Sequence, residues 1–171
     1  MCIKIKGATL INGTVSGGLS EVGVRVASNN LVRRVTVSHS LYALWIQGDN
    51  NNIVENTASG SIQAGFEIRG NYNTLVDNRA SQNGNGFAAY RFEANRVGAV
   101  GKGNVLIGNL AEKNVVGFWI VLQDGTQMIG NSARANSLRG FSIGSTRNLD
   151  FIGNVARAMD PAVAISQPAL A

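Results

Sequence analysis

One short pattern returns along this chain at a nearly fixed interval, and that interval decides what the chain can fold into. Asn52-Ile53-Val54-Glu55-Asn56-Thr57-Ala58 comes back as Thr74-Leu75-Val76-Asp77-Asn78-Arg79-Ala80 and as Val105-Leu106-Ile107-Gly108-Asn109-Leu110-Ala111. Further copies centre on Asn131 and Asn154, and weaker ones on Asn12 and Arg34. Centres at 12, 34, 56, 78, 109, 131 and 154 are separated by 22, 22, 22, 31, 22 and 23 residues. A period in the twenties built from short β-type motifs is the mark of a solenoid, whose units bury their apolar faces only by stacking on one another.

A second motif follows each centre: Gly65-Phe66-Glu67-Ile68, Gly86-Phe87, Gly117-Phe118-Trp119-Ile120 and Gly140-Phe141-Ser142-Ile143. Each unit therefore reads as three short strands, with Gly and Asn clusters at the corners where positive φ is needed. The Phe and Ile of Gly-Phe-x-Ile point inward, and Ala two residues after each repeated Asn suits a crowded inward position. Asn56, Asn78, Asn109, Asn131 and Asn154 are expected at one left-handed corner, stacked as a hydrogen-bonded ladder that Arg34 interrupts near its start.

Only 15% of residues are charged and 6% aromatic, while 21 are glycine, a turn-rich all-β composition with no sustained helical periodicity. The repeat runs through nearly all 171 residues, so residues 1–171 read as one domain. Its single irregularity is the 31-residue spacing, which places a loop insertion at about 91–102. Cys2 is the only cysteine, and no apolar run reaches membrane-spanning length. No charged-then-apolar leader precedes the repeats. A formal charge of +5 suits an acidic partner, but the basic residues are scattered rather than clustered, which disfavours nucleic acid.

The three-strand unit of about 22 residues, with Asn at one bend and Gly-Phe-x-Ile on the next strand, resembles the right-handed parallel β-helix repeat of the pectate-lyase-like superfamily. The resemblance covers roughly residues 7–166. It implies an all-β, single-stranded β-helix of about seven turns. It also suggests an extracellular or periplasmic setting, though the chain itself does not reveal its compartment. The superfamily includes lyases, hydrolases, epimerases, tailspikes and binding proteins, and its enzymes use the outer face of this sheet and the loops beside it as their cleft.

In such a coil the x of Gly-Phe-x-Ile faces outward and successive turns lie about 4.8 Å apart. That slot reads Lys4, Arg25, Trp45, Glu67, Ala88, Trp119, Ser142 and Ala164, with Lys6, Ala27, Gln47, Arg69 and Tyr90 two positions further on. Trp45 and Trp119 then share one face about 14 Å apart, with Glu67 and Arg69 between them. Flat apolar rings beside charges form a platform for an acidic sugar polymer, to which Arg91 and Arg96 of the insertion add cations. His39 and Tyr42 precede Trp45 and, with Glu67 and Arg69, supply the residue types for acid/base work on a uronate.

Other chemistry is poorly provided for. Glycoside hydrolysis needs two placed carboxylates, and the face offers Glu67 alone. The Asp residues are spread among the repeats rather than caged, and no second Cys or His exists, so neither a metal site nor any other cofactor is expected. Three readings remain: a module binding an acidic polysaccharide, a polysaccharide lyase or uronate C5-epimerase, and a non-catalytic structural or protein-interaction solenoid. Neither end of the chain looks able to cover the stack, which fits either a piece of a longer polypeptide or ends covered by other subunits, and self-association into a homo-oligomer is the expectation.

Overall fold

The computed structural model describes residues 2–90, 101–157 and 164–166. Their strands wind into a parallel β-solenoid of about seven turns, each turn carrying the next repeat. One wall is an eight-stranded sheet of Ile3–Ile5, Val22–Val26, Tyr42–Ile46, Ala64–Ile68, Asn85–Ala89, Val116–Val121, Arg139–Gly144 and Ala164–Ser166. The other two walls are rows of mostly three-residue strands, such as Asn52–Val54 and Thr57–Ser59, on either side of the Asn56 corner. The longer strands Thr9–Ser16 and Leu31–Ser38 run through that corner and join the two rows into one twelve-stranded sheet.

Parallel register places equivalent residues over one another, so each letter of the repeat becomes a column. Leu44, Phe66, Phe87, Phe118 and Phe141 are fully buried in one inner column. The four Phe rings stack with centroids 4.7–4.9 Å apart, the rise of the coil itself. Each buried Phe contributes about 1.5–3 kcal/mol of apolar transfer free energy. Ile46, Ile68, Ile120 and Ile143 form the neighbouring column, and Ala58, Ala80, Ala111 and Ala133 fill the tight position after the corner.

The repeated Asn residues form the expected ladder. In each rung the backbone N–H and the side-chain amide both donate to the Asn Oδ1 of the next coil, from Asn56 through Asn78, Asn109 and Asn131 to Asn154. The second amide hydrogen donates to a backbone carbonyl of the preceding coil, as from Asn78 to Ile53 at 2.8 Å. A buried polar row of this kind is stable because every member is satisfied.

Three details differ from the sequence reading. The left-handed residue is not the Asn but its predecessor: Glu55, Asp77, Gly108, Gly130 and Gly153 have φ between 52° and 64°. The Asn then carries ordinary backbone angles, so its value at the corner is its amide rather than its tolerance of positive φ. The early centres are also displaced by one residue, because Arg34 and Asn12 occupy that left-handed column while Val35 takes the ladder position. Val35 N–H donates to Asn56 Oδ1 and starts the ladder with backbone alone.

Finally, the structure has three ladders, not one. Five residues before the central column, Asn30, Asn51, Asn73 and Asn104 stack in the same way, and Asn104 passes its amide on to Gln123 Oε1. Five residues after it, Asn83, Asn114 and Asn136 form the third. Within the expected insertion, Gly101–Lys102 is a strand paired with Gln123–Asp124, and residues 91–100 lie outside the described residues.

Candidate functional site

The outer face of the eight-stranded wall carries the row read from the sequence. Cα pairing runs Lys4, Arg25, Trp45, Glu67, Ala88, Trp119, Ser142 and Ala164 without a break. Beside it, backbone bonds from Ala27, Gln47, Arg69 and Tyr90 to the preceding coil put Lys6, Ala27, Gln47, Arg69 and Tyr90 in a second row. Three coil steps separate the two indoles, about 14 Å.

The aromatic groups are not bare. Trp45 is half-buried, with the Arg25 guanidinium 4.4 Å and the Arg69 guanidinium 5.3 Å from its ring centre. The Tyr42 ring stacks on it at 5.7 Å and 25°. Trp119, also half-buried, has the Tyr90 ring at 5.0 Å, and Arg69 lies 5.1 Å from the other centre of that contact, the Tyr90 ring. Arg69 thus bridges the two aromatic clusters. The Trp45 indole N–H and the Arg25 Nε are buried and have no hydrogen-bond partner among the described residues.

Glu67 departs most from the expectation of an exposed charge. Although its slot points away from the core, only 1% of it is accessible. Its Oε1 accepts from Arg69 Nε at 2.8 Å and from the Tyr90 hydroxyl at 2.6 Å, while Arg69 Nη2 donates to the same hydroxyl oxygen at 2.9 Å. The three groups close a triangle that fixes Arg69 in place. Burial, then the bond to Glu67, pushes the Tyr90 pKa up to about 12, so its proton stays on the hydroxyl at neutral pH. Burial opposes the charge on Arg69, but Glu67 and Tyr90 outweigh it and hold its pKa above the ordinary guanidinium value.

Of the acid/base candidates, the structure brings Tyr42, Glu67 and Arg69 to the Trp45 cluster and leaves His39 out. His39 is an exposed corner residue with φ 54°. Its ring lies over Gly60 of the next coil's corner, and no hydrogen bond joins it to Tyr42, Glu67 or Arg69 among the described residues. Arg91 and Arg96 fall outside the described residues. Tyr90, Arg25, Lys4 and Lys6 are the contributors that sequence reasoning did not single out, though all four stand in the two rows it had written down.

On these rows four cations face one carboxylate, and that carboxylate is already paired. No group of three or more His, Cys, Asp or Glu side chains converges among the described residues. The arrangement can stack planar faces on indole and phenol rings while fixed cations meet anionic substituents.

A family model described as "Right handed beta helix region" matches residues 22–166. No curated protein and no solved structure matches the chain.

Proposed function

The chain belongs to the right-handed β-helix family, and from that premise we propose that it is a carbohydrate-associated module that binds an acidic polysaccharide along this outer face. The observation that carries the proposal is the triangle of Glu67, Arg69 and Tyr90 set between two half-buried indoles. It holds one cation rigidly at mid-face, so little side-chain entropy is lost when a carboxylate docks. Successive coils repeat every 4.8 Å or so, close to the length of one sugar ring, so a chain laid along the solenoid axis meets equivalent positions in step.

Binding is favoured over catalysis by the same geometry. Glu67 Oε1 already accepts from Arg69 and Tyr90, Tyr90 keeps its proton, and His39 sits at a separate corner, so of the two proton movers expected from the sequence only Tyr42 stands beside Glu67 and Arg69. A lyase or epimerase reading predicts an unsaturated product or solvent deuterium at the sugar C5 when polyuronates are incubated with the protein. Titration of a panel of polyuronates by calorimetry tests the binding reading. Trp45→Ala and Trp119→Ala are each expected to weaken binding about 2- to 10-fold, the size of one lost aromatic contact. Binding of no polyuronate, or full affinity in both variants, overturns it and leaves a structural or protein-interaction solenoid.

A further inference from the structure

At the first-coil end of the same wall, the two rows open into a cleft of about 310 Å³ lined by Lys4, Ile5, Lys6, Arg25, Ala27 and Gln47, with Ser28 and Gly48 at its edge by the coil corner. Lys4 is the middle residue of strand Ile3–Ile5 and Lys6 follows its end, and both are exposed. Lys4 is in direct register with Arg25 on the next strand. Like charges directly opposite one another across a parallel pair repel, and among the described residues no carboxylate lines the cleft to offset them. Arg25 is nevertheless held flat against Trp45, 4.4 Å from its ring centre, with its Nε buried and unpartnered among the described residues. A buried donor without an acceptor costs about 1–3 kcal/mol.

Three cations around one open cleft, with the small Ala27 and the polar Gln47 between them, suit an anion. We propose that this cleft binds a tetrahedral oxyanion ester, a sulfate or phosphate group carried on the sugar chain, at one end of the polysaccharide tract. The geometry separates this group from a carboxylate. A carboxylate is planar with two oxygens and is best met by one guanidinium fork. A tetrahedral ester presents three terminal oxygens in different directions, which suit two point-charge ammonium groups and one guanidinium edge. Ala27, small between Lys6 and Gln47 in the second row, leaves the room that such a group needs. The sugar part of the inference rests on the binding role proposed above; the anion part does not.

The test uses the whole chain with three probes: a sulfated galactan without uronate, polygalacturonate without sulfate, and inorganic phosphate or sulfate as competitors. Lys6→Ala is expected to weaken galactan binding by up to about 5-fold and polygalacturonate binding less, while Arg25→Gln, which also removes the cation over Trp45, is expected to weaken both. Lys113→Ala, an exposed cation at a corner outside the cleft, is expected to change neither. Displacement by sulfate but not phosphate assigns a sulfate ester, and the reverse assigns a phosphate ester. Equal losses from Lys113→Ala and Lys6→Ala mean a diffuse positive field and overturn the cleft. Full galactan affinity in Lys6→Ala and Arg25→Gln, with a loss in Trp45→Ala, overturns the cleft but leaves the aromatic tract standing. Loss of inorganic phosphate binding in Lys6→Ala, with no polymer responding to either Trp variant, supports the anion cleft and removes the polysaccharide.

Discussion

Replacing Asn78 by alanine cuts the central ladder at its middle and removes four hydrogen bonds. Asn78 Oδ1 accepts from Asn56 N–H at 2.9 Å and from Asn56 Nδ2 at 3.0 Å, and its own amide donates to Asn109 Oδ1 and Ile53 O. Asn109 Oδ1 keeps the Asn78 backbone N–H, which the substitution does not touch. Two donors of Asn56, its backbone N–H and one amide hydrogen, are left buried and unpaired. At about 1–3 kcal/mol each the loss is about 2–6 kcal/mol, a large share of the 5–15 kcal/mol by which domains are typically stable. Urea unfolding followed by far-UV circular dichroism reads the change directly. Asn154→Ala, at a part-buried rung, is the internal comparison, because water can replace the missing acceptor there and the loss should be smaller. A loss below about 1 kcal/mol for Asn78→Ala at unchanged m refutes the reasoning, since a satisfied buried rung cannot be that cheap to remove.

Other expected outcomes concern the site and the close approach of neighbouring coils. In a spectrophotometric titration Tyr90 should ionise at about 12. A tyrosine pKa raised in the folded state gives stability that is present below the ordinary value near pH 10 and is lost as pH rises through about 12. In Glu67→Gln the Tyr90 pKa should fall, because both the bond to Glu67 and its charge raise it while Arg69, which lowers it, remains; an unchanged Tyr90 pKa contradicts that assignment. Gly70→Ala would drive a Cβ into the Gly48 carbonyl oxygen of the coil below. It should lower stability by about 1–3 kcal/mol or more, whereas Gly13→Ala, with nothing within 4 Å of the added Cβ, should be nearly neutral in the same unfolding assay.

The sequence made the fold legible because parallel stacking turns a repeat into columns. Once Asn56, Asn78 and Asn109 were aligned, the inner Phe column and the outer Lys4-to-Ala164 row followed with no further information. The other two ladders were also present, as Asn73, Asn78 and Asn83 or Asn104, Asn109 and Asn114 spaced five apart. They read as generic corners because Asn is common in turns for other reasons. The expected corner is off by one residue because Asn tolerates left-handed angles as Asp77, Gly108, Gly130 and Gly153 before it do, and only φ distinguishes them. Burial was harder still. Nothing in the row assigned Glu67 to a closed triangle, because that depends on Arg69 turning back along its own coil and Tyr90 reaching across from the next. His39 stands just before the strand that bears Trp45, which suggests convergence with Glu67, but its left-handed backbone puts it on a corner rather than on the wall.

The account turns on Trp45 and Trp119 serving one ligand across three coils. Affinity should therefore be measured against oligogalacturonates of increasing length. It should rise until the oligomer spans the ~14 Å between the indoles, then level off, and Trp119→Ala should abolish the gain from length while sparing the shortest binder. Equal affinity for short and long oligomers, or an undiminished length dependence in Trp119→Ala, contradicts a shared tract.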